Sequence, residues 1–344
     1  MRVLYLGHYR ENSGWSRATI HHILSLKSVG IDVVCRNISL TSDNTEPPED
    51  VLELEGKKLE NIDFCIQHLL PHHLVGTTKF KKNVAFCPFE SKINNSHSWL
   101  SYLKMMDEVW VPNTSNKEML SDAGLESRVV PYSFDTSLYK EPRNKLNFGL
   151  SRDKFKFYFI GDNNSRKNIQ GILKSYFSEF TIFDNTCLVL KVGGKTTNQE
   201  QFYQQIDNMK KQLRIYSKLE YYPQVLVINQ DLSDKDIQNL HYSCDCYVGI
   251  SHGEGWSIPA FEAMCHGKTP ICSNDGGPKD FIDQSNKSTG SLVNGVYSVC
   301  NHGNPAFPNI FTGKEDWFVP SESETKKNMR WYFENKDSID RSAG

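Results

Sequence analysis

The sequence predicts an α/β protein built from two doubly wound, Rossmann-like domains. Three observations carry this. Short β-branched and aromatic runs alternate with helix-spaced segments along most of the chain, a pattern that gives parallel sheets covered by helices. The alternation stops in a polar stretch containing Pro and Gly, residues 140–154, and then restarts. The length, 344 residues, suits two domains of about 150 residues better than one. Domains are therefore expected at 1–145 and 146–320, with a C-terminal segment at 321–344. Two such domains facing a cleft would bind ligands outside the carboxyl ends of their strands.

The elements of the first half follow in order. "VLYL" (3–6) is a strand ending at Gly7, and a polar loop follows. "RATIHHILSLKSVG" (17–30) has Ile20, Ile23, Leu24 and Leu26 at helical spacing and closes on Gly30. "IDVVCRN" is the next strand. Residues 41–60 are polar and read as loop. "NIDFCIQH", "KNVAFCPFE" and "EVWVPN" are strands, "TSNKEMLSDAG" is a helix with a polar cap, and "SRVVPYSFD" is a short last strand.

In the second half "FKFYFIG" is a strand, followed by "DNNSRKN" and the helix "IQGILKSYFSEF". "TCLVLKVGG" and "QVLVIN" are strands on either side of a polar, helix-like stretch at 198–218. "SDKDIQNLHYSC" is a helix capped by Ser233. The Asp234-Lys235-Asp236 run inside it resembles a metal-binding Asp-x-Asp but reads as cap chemistry. "DCYVGIS" and "TPICS" are strands flanking the segment "GEGWSIPAFEAMCHG", 253–267.

Composition excludes several classes. The net charge is -2, which demands neither nucleic acid nor an anionic membrane as partner. Charged residues at 23% and aromatics at 12% describe a folded chain. The nine cysteines are scattered, several inside apolar runs, as reduced core thiols are. No signal peptide and no apolar run approaching about 18 residues is visible. A cytoplasmic protein is expected, with weak contact at the inner membrane face left open through the basic run "KFKK" (79–82). No G-x-G-x-x-G follows the first strand, which argues against a dinucleotide oxidoreductase.

The chemistry concentrates in residues 253–267. Glu254 and Glu262 bracket a tight, mostly apolar turn. Gly253 and Gly255 let backbone approach a ligand. The amides of Trp256, Ser257 and Ile258 open a helix, where anions bind. Glu262, an acceptor with two oxygens, suits the paired hydroxyls of a ribose, and Glu254 suits a sugar hydroxyl or positive charge building on a sugar ring. Singly, each carboxylate would read as a cap or a lysine partner.

Together with Pro259, Ala263, Met264, Gly267, Pro270, Gly276 and Gly277, these residues resemble the signature of retaining GT-B glycosyltransferases, family 4 (glycosyl transferases group 1). The resemblance is firm over 155–285 and looser over 1–140. It implies a GT-B fold, a nucleotide-diphosphate sugar donor bound by the second domain, a glycan or lipid-linked acceptor bound by the first, and no metal or other cofactor. It also implies a role in surface glycan or polysaccharide synthesis, and a C-terminal helix that crosses back toward the first domain.

The resemblance implies a basic pair after the first strand of the second half. Lys167 falls at the family lysine. The family arginine is replaced by Asp162, and Arg166 is the expected substitute, since guanidinium grips phosphate oxygens in pairs. Arg166, Lys167 and Glu254 are thus the candidate catalytic residues. Glu262, Gly255, Trp256, Ser257 and Ile258, with Gly14 and Ser16 from the loop "RENSGWSRA", are the candidate donor-binding residues. Glu90 and His68, at strand ends, are candidate acceptor contacts, with His8 and His97 as other histidines near the cleft. The alternative is a nucleotide- or sugar-binding protein on the same scaffold without transfer activity. Asp162 and the thinned glycine loop favour that alternative. An epimerase or a pyridoxal-dependent phosphorylase finds no matching residues.

Overall fold

The computed structural model describes residues 1–40, 42, 44–135, 139, 143–151, 153–193, 198–300, 313 and 315–342. The chain forms two compact units, 1–138 and 139–344.

The first unit runs β1 (Arg2–Gly7), α1 (Gly14–Ser28), β2 (Asp32–Asn37), α2 (Glu49–Glu55), β3 (Phe64–His68), β4 (Lys82–Phe86), α3 (Trp99–Leu103), β5 (Glu108–Val111), α4 (Thr114–Asp122) and β6 (Arg128–Val129). All strand pairs are parallel, in the order β2-β1-β3-β4-β5-β6. Tyr5, Val33, Ile66 and Phe86 from the sheet pack with Ile23 of α1 and Val51 and Leu54 of α2.

Two expectations change here. The stretch 41–60 holds helix α2, because Val51 and Leu54, three apart, are both buried and Glu49 and Asp50 complement the helix start. Helix α1 begins earlier than its apolar spacing suggests, because Ser13 caps it by accepting from Ser16 N.

The second unit runs β7 (Phe155–Asp162), α5 (Ile169–Glu179), β8 (Thr186–Gly193), α6 (Gln199–Leu213), β9 (Gln224–Ile228), α7 (Asp234–Ser243), β10 (Cys246–Gly249), α8 (Ile258–Cys265), β11 (Thr269–Ser273), α9 (Pro278–Phe281), β12 (Ser291–Val293), β13 (Gly295–Val299), β14 (Asp316–Pro320) and α10 (Glu322–Glu334). Its parallel sheet has the order β12-β11-β10-β7-β8-β9, and β13 and β14 form a separate antiparallel pair. Phe157, Phe159, Leu188 and Leu190 pack under α5 on one face. Tyr158, Val189 and Tyr247 pack under α7 and α8 on the other.

The unit boundary, expected at 145/146, lies earlier. Asn144 N donates to Asn239 Oδ1 at 3.0 Å and Leu146 N to Ser243 Oγ at 2.7 Å, and Leu146, Phe148 and Leu150 pack on the second core. These bonds tie the polar stretch to the second unit. The C-terminal helix, expected as a separate segment crossing back, is part of the second core. Its Met329 and Tyr332 are fully buried there, and Arg330 is held by Glu179 and Asp184, both at 2.8 Å. All nine cysteines are free thiols, eight of them buried.

In each sheet the chain reverses its direction of growth once. The reversal falls between β1 and β3 in the first unit and between β7 and β10 in the second. Loops leaving the carboxyl ends of such a strand pair diverge and leave a crevice, which is where α/β sheets bind ligands. The loop after β7 carries Arg166 and Lys167, and the loop after β10 carries Glu254.

Candidate functional site

The two loops of the second unit are laced together by backbone. His252 N donates to Arg166 O at 2.7 Å. Asn168, left-handed at φ 52, caps α5 through Gly171 N and donates its amide to Ile250 O at 3.0 Å. Asparagine tolerates this conformation better than most side chains. Behind them Ser273 Oγ donates to Ser251 O at 2.5 Å. His252 stacks on Trp317 with ring centroids 5.4 Å apart and bonds Phe318 O at 2.8 Å, which anchors the loop to β14.

This frame brings together the three residues expected to be catalytic. Lys167 Nζ donates to Glu254 Oε1 at 2.7 Å, and Arg166 NH1 lies 3.6 Å from the same oxygen. Arg166 NH1 also donates to Gly253 O at 2.7 Å. Burial alone would raise the Glu254 carboxyl pKa. The Lys167 and Arg166 charges, with hydrogen bonds from Lys167 and Ser251, more than offset it and hold the carboxyl below its ordinary 4.5. Glu254 is therefore ionised at neutral pH. Two cations face one carboxylate oxygen.

The turn into α8 is forced. Ser257 has φ 66 and ψ 63, an unfavourable conformation for serine. Gly276 and Gly277 press on the turn from the neighbouring loop. A Cβ at Gly276 would sit 2.1 Å from Glu254 O, and one at Gly277 would sit 2.4 Å from Trp256 Cα. Those glycines are therefore a steric requirement of the site. Gly255, Trp256 and Ser257 are buried and Ile258 is half-buried.

Glu262, expected as the ribose contact, is 1% exposed. Gln238 Nε2 donates to its Oε1 at 3.3 Å, and His241 Nε2 lies 3.5 Å from its Oε2. His241 Nδ1 is 2.7 Å from Tyr158 OH, and His266 bonds Gln238 Oε1. Helix α7 supplies both groups that cover the carboxylate. Nothing local in the sequence marks Gln238 and His241 as partners of Glu262.

In the first unit, Ser16 and His68 are both buried. Ser16 is buried and its hydroxyl donates to Tyr9 O at 3.1 Å, so the expected phosphate loop is the first turn of α1. Gly14 is exposed at that turn. His68 is fully buried, stacked on Phe86 at 4.5 Å, with its ring nitrogens facing Tyr5 OH at 3.0 Å and Tyr132 OH at 3.4 Å. Its pKa is pushed well down by burial, then by His22 and His8. It is a neutral core histidine. Glu90 is half-buried in the loop after β4.

At the end of β1, His8 packs with Trp15 and His73; His8 is fully buried, like His68, and Trp15 and His73 are half-buried. His8 lies 5.5 Å from Trp15 and 6.4 Å from His73 between ring centroids. His8 Nδ1 bonds Ile38 O, while its Nε2 is buried without a partner. Burial lowers the His8 pKa, so its imidazole is neutral. A histidine directly after a strand-ending glycine was the available signal.

Among the described residues, no group of three or more His, Cys, Asp or Glu side chains is placed to hold a metal ion, and no helix is long and apolar enough to cross a membrane. Asp236 serves the α7 cap, its amide donating to Ser233 Oγ at 3.2 Å.

Residues 141–297 match the family model of the glycosyl transferases, group 1. The matched segment contains Arg166, Lys167, Glu254 and Glu262. Three solved structures resemble the whole chain. HepE of Anabaena, solved with UDP-glucose, is 13% identical with a TM-score of 0.59, covering 98% of this chain and 91% of its own. Sucrose-phosphate synthase of Thermosynechococcus elongatus is 14% identical at 0.60, covering 98% and 90%. A glycosyltransferase of Rickettsia africae is 15% identical at 0.62, covering 99% and 90%. The fold is GT-B. No curated protein matches the chain.

Proposed function

We propose that this protein is a retaining, family 4 glycosyltransferase that moves a sugar from a nucleotide-diphosphate donor to an acceptor hydroxyl. The observation that carries the reading is the convergence of Arg166, Lys167 and Glu254 at the β7/β10 reversal point. The group 1 match over 141–297 and the neighbour solved with UDP-glucose support it.

Arg166, Lys167 and the amides of Trp256, Ser257 and Ile258 stabilise the departing diphosphate. Fixed charges of this kind supply several kcal/mol to a transition state, and the reading assigns no metal or other cofactor to that task. The acceptor oxygen bonds to the anomeric carbon on the face from which the phosphate oxygen leaves. That phosphate oxygen takes the acceptor proton. Glu254, ionised and oriented by Lys167, offsets positive charge on the sugar ring. Glu262 meets the ribose once Gln238 yields one of its oxygens. Glu90 and the half-buried His73 are offered to the acceptor.

We place the reaction in the cytoplasm, in surface glycan or polysaccharide synthesis on a glycan or lipid-linked acceptor. Support for membrane contact through 79–82 is weak, because Lys81 and Lys82 pair with Asp63 and Glu108. The test is a panel of nucleotide sugars scored for donor hydrolysis. One donor should be consumed by the wild type and spared by Lys167→Met. Nucleotide binding without donor consumption would favour a non-catalytic binding protein.

A further inference from the structure

Lys191 stands two residues before the end of β8 and is 7% exposed. Side chains alternate along a strand, so Lys191 shares the α7/α8 face with the buried Cys187 and Val189. Among the described residues its ammonium has no hydrogen bond. The charges that face it are Asp231, in the loop after β9, and Asp162, at the end of β7. Gly193, two residues further on, lies on the same face, and a Cβ there would meet Asp162 Oδ1 at 2.9 Å. The Asp162 side chain thus lies across the end of β8, on the side of Lys191.

Burial pulls the Lys191 pKa down, against the two carboxylates. This cation sits at the carboxyl end of the sheet, on the strand paired with β7, and Arg166 and Lys167 lie in the turn that follows β7. An acceptor oxygen arriving at that edge would satisfy it.

We propose that Lys191 is a further cationic contact of the donor nucleotide, donating to a phosphate or nucleobase oxygen. The proposal rests on the nucleotide-sugar reading above. Lys191→Met keeps the length and removes the charge, and Lys191→Gln serves if that variant does not fold. The probes are UDP, GDP and ADP with their parent nucleosides, measured by titration calorimetry on the full chain.

The diphosphate that binds the wild type should bind the variant roughly 10–100-fold more weakly, as expected for a lost charged hydrogen bond. The ligand-free melting temperature should change little, since the ammonium faces Asp231 and Asp162 without a hydrogen bond to either. Loss shared by the nucleoside places the oxygen on the base, and loss confined to the diphosphate places it on phosphate. Either pattern supports the proposal. Wild-type affinity in the variant, with or without a lower melting temperature, overturns it and leaves the functional reading intact. Failure of the wild type to bind any probe overturns both.

Discussion

Glu254→Gln separates the electrostatic role of the site from its architecture. The substitution keeps the shape and removes the charge that two cations share, Lys167 at 2.7 Å and Arg166 at 3.6 Å. The side chains of all three are at most 15% exposed, so solvent screening is modest. Removing one partner of a buried ion pair costs about 3–5 kcal/mol. Arg166 keeps its bond to Gly253 O, which argues for the lower end, about 3 kcal/mol. For a unit of this size, that lowers the melting temperature by roughly 6–12 °C.

A bound diphosphate supplies Arg166 and Lys167 with the missing negative charge. The gap between variant and wild type should therefore narrow when a saturating nucleoside diphosphate is added, and diphosphate affinity should hold or rise while turnover of the nucleotide sugar falls. The pH dependence has a definite sign. The folded Glu254 carboxyl lies below its ordinary 4.5, so its stabilising contribution is present above that value and disappears as pH falls through the folded value. The gap should stay constant from neutral pH to about 5 and close below 4.5. Differential scanning fluorimetry reads each arm. An equal melting deficit with and without nucleotide, or parallel loss of affinity and turnover, would refute the reasoning.

Lys167→Met should lower donor turnover about 10²–10³-fold, the usual consequence of deleting one group that stabilises developing negative charge, measured as released nucleotide. Gly277→Ala should destabilise the second unit by at least about 1–3 kcal/mol, since its Cβ would meet Trp256 backbone at 2.4 Å. Urea unfolding followed by tryptophan fluorescence checks it. His22 is buried, and burial, then His21, pushes its pKa down to about 3. The unfolded chain therefore binds a proton that the fold refuses between pH 6.5 and about 3, and stability falls as pH drops through that window. His22→Gln should make the acid limb of the first unit shallower by about one proton. His73→Ala should weaken acceptor use with little change in donor hydrolysis, read as the ratio of transfer to hydrolysis.

The sequence carried the parallel alternation clearly because most strands are compact apolar runs separated by helical spacing. It missed α2, where only Val51 and Leu54 mark the buried face, and it left β12, β13 and β14 unassigned. At the site, the Gly-Trp-Ser-Ile-Pro turn and the pair Arg166 and Lys167 were visible as local chemistry. Local chemistry did not reveal what lies against it. Gly276 and Gly277 read as a turn but serve as clearance for Glu254 and Trp256. The burial of Glu262 was not legible because Gln238 and His241, which cover it, belong to a different helix. His68 read as a ligand because a strand-end position was visible and the Tyr5 and Tyr132 hydroxyls around it were not.

The most direct test of the central claim is real-time proton NMR of the wild-type chain with a panel of nucleotide-diphospho-α-sugars. The account predicts that one donor's anomeric signal decays and that an α-configured product appears first. An unchanged signal for every donor would contradict the transferase itself, and a β-configured first product would contradict front-face displacement at Glu254, Arg166 and Lys167.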